Sequence, residues 1–432
     1  MIWNEARECM SRDEMTAMQS ARLVKLVNRV YHNVEFYRKK MQYLGIEPGD
    51  IKGIEDISKL PFTTKDDLRD NYPFGLLAVP HSEIVRVHAS SGTTGKATVV
   101  SYTRKDIEVW QECVARVLAM CGVTREDKVQ IAYGYGLFTG GLGLHYGVEN
   151  LGAMAIPIST GNTKRLVTLM KDFEVTAIAC TPSYLLHIAE MIQDEKIIDD
   201  IKLKVAICGA EPWTENMRNE IEKSLRINAH DIYGLSEVVG PGVAADCIHH
   251  KGLHVYEDHY YPEIVDADTL KPIPEGEVGE LVFTTLTKEG MPLIRYRTKD
   301  LTSINYSLCE CGRTLTRISR FKGRSDDMLI IRGVNVFPSQ IEAALLEMGE
   351  TKPHYLMIVD RVNNLDTLEI LVEVEEKFFA DEIKELESLT KRIAHTIHNA
   401  IGINAKVKLV EPKTLERSMG KSKRVIDKRN IE

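Results

Sequence analysis

The sequence predicts an α/β protein with a large N-terminal domain of mostly parallel sheets and a β-rich subdomain, followed by a small α+β C-terminal domain. Three observations carry this. The chain has 432 residues, more than one hydrophobic core accommodates. From residue 127 to about 235, short apolar runs alternate with helical segments, as in a parallel sheet covered by helices. After Arg324 the texture changes to a βαββαβ-like order.

The elements follow in chain order. Up to about residue 80 the chain reads as helical: Ser11 and Glu14 form a candidate capping box, and Leu23, Leu26, Val27 and Val30 recur at helical spacing. Val85-Arg86-Val87-His88 reads as a strand. Val129 to Tyr133, Met154 to Ile158, Thr176 to Cys180 and Val205 to Cys208 read as buried strands. Thr181-Pro182 is an N-cap followed by Pro at the first helical position, opening a helix through Ile192. Residues 255 to 320 are β-rich, with Val278 to Thr284 the clearest strand. Beyond Ser325, Val336-Phe337-Pro338-Ser339 leads into a helix from Gln340. Strands at Tyr355 to Val359 and Leu368 to Val374, a helix near Asp381 to Ala400 and a strand at Val407 to Val410 complete a second domain. The boundary gives domains 1–325 and 326–432. The tail, Lys413 to Arg429, is basic and rich in residues typical of surfaces.

Composition narrows the function classes. Apolar content is 44% and charged content 27%, as in a soluble globular protein. The net charge is −8, with no long basic run before the last few residues, which argues against nucleic acid as the main partner. No run of apolar residues is long enough for a transmembrane helix. Met1-Ile2-Trp3-Asn4-Glu5 lacks a basic, apolar signal, so a cytoplasmic location is expected. The eight cysteines are then thiols or metal ligands. Cys113, Cys121, Cys180 and Cys208 lie in apolar surroundings and read as core residues; Cys9 carries no pattern.

The most informative stretch is Ser90-Ser91-Gly92-Thr93-Thr94-Gly95-Lys96. Glycines permit turns that aim consecutive backbone N–H groups at one anion, hydroxyls add donors and Lys96 adds charge, so the loop suits a polyphosphate. It departs from the G-x-x-x-x-G-K-[ST] phosphate loop, because Ser90 replaces the first glycine and Ala97 the final hydroxyl residue that would bind magnesium. A kinase or ATPase of that type is disfavoured. Alone, the stretch also suits an ordinary surface turn.

Five further segments gain meaning from their order. Cys208-Gly209-Ala210-Glu211-Pro212 ends a strand in small residues that let a flat ligand approach. In Asp231-Ile232-Tyr233-Gly234-Leu235-Ser236-Glu237 an aromatic can stack on a base and a carboxylate can hold Mg²⁺. Then come Tyr296-Arg297-Thr298-Lys299-Asp300, Gly323-Arg324-Ser325-Asp326-Asp327-Met328 with Gly333, and Arg417-Ser418-Met419-Gly420-Lys421. Together with the first loop, these resemble the adenylate-forming superfamily of acyl-CoA synthetases, over essentially the whole chain. Residues 323 to 338 are most similar to phenylacetate–CoA ligases.

The resemblance implies a two-step reaction: ATP and a carboxylate give an acyl-adenylate and pyrophosphate, then the CoA thiol displaces AMP. It implies that Ser90 to Lys96 hold phosphates and that Gly209, Ala210, Glu211 and Pro212, with Asp231, Ile232, Tyr233, Gly234 and Ser236, border the adenine. Asp300 would take the ribose hydroxyls, beside Arg324. Glu237 would hold Mg²⁺, Lys421 would be the catalytic lysine of a mobile domain and Asp326 its hinge. Such enzymes are homodimers by the same resemblance. Within Tyr133-Gly134-Tyr135-Gly136-Leu137-Phe138-Thr139-Gly140-Gly141, Tyr135 and Phe138 are candidate contacts for a flat acyl group; ordinary core aromatics give the same pattern. The alternatives are adenylation of another acid, acyl transfer to an acceptor other than CoA, and a non-catalytic nucleotide-binding zinc module.

Cys309-Glu310-Cys311-Gly312 is a Cys-x-Cys knuckle, and Cys247 lies upstream near three histidines. Three thiols and one imidazole make a closed, structural Cys₃His zinc site. His254 is the favoured fourth ligand from its likeness to a Gly-x-His segment of some relatives; His249 competes, and His250 is the weaker choice. Otherwise these are unpaired thiols.

Overall fold

The computed structural model describes residues 1–90, 97–210, 213, 215–321, 323–324, 329–336, 340–341, 344–345, 348, 351–362, 365–374, 383–411, 414–415 and 425–429. The chain opens with helices α1 Glu5–Glu8, α2 Arg12–Asn33, α3 Glu35–Tyr43 and α4 Lys65–Asp70. Both halves of the Ser11/Glu14 capping box form, and α2 buries Leu23, Leu26, Val27 and Val30, as their spacing requires. Strands β1 Ile84–Ser90 and β2 Thr98–Thr103 pair antiparallel, with Ser90 opposite Thr98, so the phosphate-loop segment joins two paired strands. Residues 91–96 lie outside the described residues. Helix α5 Arg104–Met120 follows, capped by Thr103 and Asp106.

A nine-stranded sheet forms the centre. Strands β3 Lys128–Ile131, β4 Met154–Ile156, β5 Ala177–Cys180, β6 Val205–Gly209 and β7 Asn228–Leu235 are parallel, in the order β4-β3-β5-β6-β7. Helices α6 Gly140–Leu151, α7 Thr163–Asp172, α8 Pro182–Asp194 and α9 Glu215–Leu225 intervene. Alternation along each strand divides the cores. Ala177, Ala179, Val205 and Ile207 enter one cluster, while Ile178, Cys180, Ala206 and Cys208 enter the other. The parallel pattern stops at β7. Strand β8 Gly240–Asp246 returns through a tight turn and can only run antiparallel, and β9 Leu253–Val255 continues the antiparallel extension.

The β-rich region contributes β10 Tyr260–Val265, β11 Gly279–Thr285, β12 Tyr296–Thr302, β13 Ile304–Asn305, β14 Arg317–Ile318 and β15 Gly323–Arg324. Strands β10, β11, β12 and β15 make a separate antiparallel sheet, whereas β14 and β13 extend the central one.

The C-terminal region has a third core, from Leu329 to Ile403, of its own. Strands β16 Leu329–Ile331 and β17 Val334–Val336 form a hairpin. Strands β18 Thr351–Val362 and β19 Leu365–Val374, the helix Ile383–Ile401, β20 Lys406–Val410 and β21 Val425–Asp427 complete the region. The sheet order is β20-β19-β18-β21. Strand β21 corrects the sequence reading, which took this stretch for exposed basic tail. It pairs parallel with β18, and Arg429 donates to Asp366 Oδ2 at 2.7 Å and to Asp427. Buried ion pairing let a charged segment become a strand. The region meets the body where α8 packs on β19 and where Gly333, at φ +72°, sits against Thr181: a Cβ there would lie 2.4 Å from Thr181 Cγ2.

Candidate active site

The carboxyl ends of β6 and β7 bring the adenine-type segments together, the usual place for a ligand in an open α/β sheet. Tyr233, near the end of β7, donates its hydroxyl to Asp300 Oδ2 at 2.6 Å. Its ring lies 4.4 Å from that of Phe321. Asp300 on β12 is the cross-strand partner of Arg324 on β15. Three residues from separate sequence segments thus converge, joined by Phe321, which no motif had singled out. Gly234 tolerates no side chain, since a Cβ would lie 1.9 Å from Gly240 O. At Gly209 a Cβ would lie 2.3 Å from Ile232 O, and the Gly209 N–H donates to Tyr133 Oη at 3.0 Å. Ala210 leaves β6 at φ +70°. Ile232 is buried in the apolar core, so it supports the strand and offers a ligand no side chain. Asp231 donates its backbone N–H to Asp246 Oδ1 at 2.8 Å; burial, then Asp246, pushes its carboxyl up to about 7.

Glu237 is a buried carboxylate whose Oε1 lies 3.2 Å from Lys65 Nζ, at the start of α4. Ser236 shares a 3.0 Å hydroxyl contact with Thr139. Lys65 escaped the sequence reading because its partner lies on a distant element; a lysine one residue past a capping threonine looks like a solvated helix start. Glu211, Pro212, Asp326 and Lys421 lie outside the described residues, as do Ser91, Gly92, Thr93, Thr94, Gly95 and Lys96.

Comparison with known proteins identifies the arrangement. Residues 56–286 match the family model described as AMP-binding enzyme, and residues 333–429 match AMP-binding enzyme C-terminal domain. Phenylacetate-coenzyme A ligase of Thermus thermophilus is 49% identical over 444 residues, covering 99% of this chain and 100% of that protein. The Aromatoleum evansii enzyme of the same name is 50% identical, covering 98% and 97%. The chain belongs to the AMP-binding enzyme family, among its phenylacetate–CoA ligases. Among solved structures, 2-hydroxyisobutyryl-CoA ligase in its thioesterification state matches this ligase with a TM-score of 0.93 at 31% identity, covering 99% of this chain and 92% of that one. The same enzyme scores 0.72 in a postadenylation state and 0.71 in an open one. Identity is nearly constant across the three, so the scores separate arrangements of the parts.

The acyl-pocket candidates of the ligase sit differently. Tyr135 is half-buried, with its Oη 3.3 Å from His145 Nδ1. A Cβ on Gly141 would lie 3.0 Å from Tyr135 Cδ2, so the start of α6 packs closely against the ring. Phe138 is 54% exposed. The loop is tied to the phosphate-loop strand, because His88 Nδ1 and the Ala89 N–H both donate to Leu137 O at 3.0 Å. Burial lowers the His88 pKa.

The metal candidates converge fully. One ligand atom each from Cys247, His254, Cys309 and Cys311 all lie within 4.8 Å of one another. The Cys247 and Cys309 sulfurs are 3.7 Å apart, and His254 Nε2 is 3.5 Å from the Cys311 sulfur. A tetrahedron with Zn–S and Zn–N bonds of about 2.3 and 2.0 Å has edges of about 3.8 and 3.5 Å. Hydrogen bonding from Cys247 draws Cys311 toward thiolate, and His254 does so for Cys309. Burial opposes charge on His254, but Cys309 and Cys311 outweigh it and raise its pKa. The competing histidines are engaged elsewhere: His249 faces Glu310 at 3.4 Å, and His250 pairs with Asp246 at 2.7 Å.

Proposed function

We propose that the protein converts phenylacetate, or a related arylacetate, with ATP and CoA into the arylacetyl-CoA thioester, AMP and pyrophosphate. The observation that carries this reading is the junction of Tyr233 with Asp300 beside buried Glu237, in a chain near 50% identical to phenylacetate-coenzyme A ligases over their full length. Tyr233 and Phe321 offer faces to the adenine, and Asp300 offers a carboxylate to the ribose hydroxyls. A substrate carboxylate oxygen attacks the α-phosphorus as the bond to pyrophosphate breaks. The CoA sulfur then attacks the acyl carbon of the adenylate and AMP leaves. Two anions meet in the first step, so charge neutralisation and alignment dominate catalysis. Glu237 suits Mg²⁺, a hard cation that takes carboxylate oxygen and would neutralise phosphate charge. Residues 90–96 would hold the departing pyrophosphate, and Lys421 would neutralise the α-phosphate.

The remaining assignments belong to the same proposal. Residues 1–325 form the adenylation domain and 326–432 the mobile domain, which turns about Asp326. The high score against a thioesterification state supports reading the present arrangement as the thioester-forming one. Cys247, His254, Cys309 and Cys311 hold a structural Zn²⁺, and their spacing fits the tetrahedron. Tyr135 and Phe138 border the acyl group, the protein is a cytoplasmic homodimer and its partners are these small molecules. Among the described residues no helix is long and apolar enough to cross a membrane.

A second reading keeps the chemistry and changes the acid, since a solved relative of high structural similarity is a 2-hydroxyisobutyryl-CoA ligase. A panel of carboxylates scored by AMP release with and without CoA tests both. Turnover of arylacetates over 2-hydroxyisobutyrate supports the first; the reverse preference replaces it with the second; no acid-dependent AMP release removes both.

A further inference from the structure

The four residues after Glu237 are gripped from one side by three buried donors. Lys288 Nζ donates to Val238 O at 2.7 Å, Tyr102 Oη to Val239 O at 2.9 Å and Trp110 Nε1 to Pro241 O at 2.7 Å. The donors brace one another. Tyr102 and Trp110 stack at 5.2 Å with planes 14° apart, and Lys288 Nζ lies 4.6 Å over the Tyr102 ring. The turn itself closes through the Val238 and Val239 N–H groups, which both donate to Leu235 O. The far side of the Lys288 loop is fixed by Asp106, whose carboxylate accepts the Glu289 and Gly290 N–H groups at 2.7 and 2.9 Å.

Lys288 is the costly member of this grip. It is buried, and among the described residues no carboxylate lies within ion-pair distance of its ammonium. Burial lowers its pKa to about 8, against the opposite pull of Asp106 and Glu237. An apolar side chain of similar volume would fill the same space without that desolvation cost. What such a side chain lacks is the hydrogen bond to the carbonyl next to Glu237 and the charge over the Tyr102 ring.

We propose that Lys288 is a positioning residue for adenylation, its ammonium fixing the Val238 carbonyl so that the preceding Glu237 carboxylate is aimed where magnesium and the ATP phosphates meet. This rests on the assignment of Glu237 to Mg²⁺. The alternative, that Lys288 only balances charge, predicts an effect of opposite sign. Removing a cation near Glu237 would strengthen its hold on a divalent cation, whereas releasing the turn weakens it.

The test measures the Mg²⁺ dependence of pyrophosphate exchange and, without turnover, calorimetric binding of α,β-methylene-ATP across a Mg²⁺ titration. For Lys288→Met, half-saturating Mg²⁺ should rise and Mg²⁺-dependent analogue binding weaken by about 10-fold, the worth of one hydrogen bond from a charged donor. Thioester formation from preformed acyl-AMP should hold near wild type. Lys288→Gln, a shorter neutral donor, should recover part of the loss. Tyr102→Phe releases only Val239 and should shift Mg²⁺ the same way by less, which keeps the test alive should Lys288→Met fail to fold. Unchanged or tighter Mg²⁺ dependence in the lysine variants overturns the proposal. Glu237→Gln separates the two claims. If it retains wild-type Mg²⁺ dependence, the Glu237 assignment fails and this inference with it; if it loses Mg²⁺ dependence while the lysine variants keep it, only this inference fails.

Discussion

The turn after Glu237 and the surface where the C-terminal region meets the body hold their residues by opposite means. The turn is held by hydrogen bonds from Lys288, Tyr102 and Trp110, all buried, and by a glycine at φ +113° packed on Trp110 and Thr139. At the second surface α8 lies against β19, and Gly333 sits where even a methyl group would strike Thr181. Hydrogen-bonded carbonyls resist being pulled from their donors, whereas a close contact between small groups parts easily. The role proposed for the Glu237 carboxylate calls for the first kind of support. The proposed withdrawal of the C-terminal region after one half-reaction, and its docking for the next, calls for the second.

The contrast can be broken most severely at Lys421. Lys421→Ala should reduce acid-dependent pyrophosphate exchange by about 1,000-fold, the scale of one electrostatic stabiliser, and largely spare thioester formation from preformed acyl-AMP. Equal loss in both half-reactions would show that the two regions do not divide the chemistry.

Gly333→Ala sharpens the comparison from the other side. Its Cβ would overlap Thr181 Cγ2 in the present arrangement, so, if this is the thioester-forming one as proposed, single-turnover thioester formation should slow by about 10-fold, the order of a modest steric clash, while adenylation stays near wild type. Thr181→Ser removes the offending methyl and still caps α8, so the double variant should recover. A Gly333→Ala defect that persists in the double variant would mean backbone strain at φ +72° and not docking.

Disruption of the Cys-x-Cys knuckle tests the proposed zinc site. Cys309→Ser should take zinc from about one per chain to under about 0.3 and lower the melting temperature, because a structural metal contributes its binding energy to folding. Untagged protein with full cysteines and no zinc would end that assignment.

The smallest effect concerns pH. His259 lies against Asp258 at 3.1 Å, and burial lowers its pKa to about 4 despite that carboxylate. Its folded pKa is below the unfolded value, so the unfolded chain binds the extra proton first. Its contribution is complete above pH 6.5 and is lost as pH falls toward 4. Between pH 6.5 and 5 the loss should reach about 2 kcal/mol, and His259→Gln should flatten the wild-type slope in denaturant titrations over that window. Parallel slopes in both proteins would exclude His259 as the source.

Much of the fold was legible because local rules agreed with global ones. Ser11 with Glu14 and Thr181 with Pro182 mark helix starts through backbone donors they satisfy themselves. The β5 and β6 runs read as strands because both faces are buried. Strand β21 was missed for the opposite reason: its neighbour Arg429 is accommodated by Asp366, which lies 63 residues away. At the site, Tyr233 and Asp300 were legible as motif residues. Lys65, Phe321 and Lys288 carry no local pattern, and their roles come from carboxylates, rings and carbonyls on other elements.

The zinc candidates show where the division falls. The sequence by itself determined that three thiols and a histidine were on offer, because Cys-x-Cys-Gly and the histidines after Cys247 are local chemistry. It left His254, His249 and His250 in competition. Tertiary pairing brings His254 to the thiols: β9 places it opposite Ala245 on one side and Arg317 on the other, next to the strand that follows the cysteine knuckle. His249 and His250 fall in the preceding turn, where Glu310 and Asp246 take them. Likewise, Glu237 was legible from its motif, but the groups that hold the turn after it, Tyr102 on β2, Trp110 on α5 and Lys288 in the loop after β11, come from other elements. Residue types and short spacings are properties of the chain; which group meets which across the fold is a property of the packed strands.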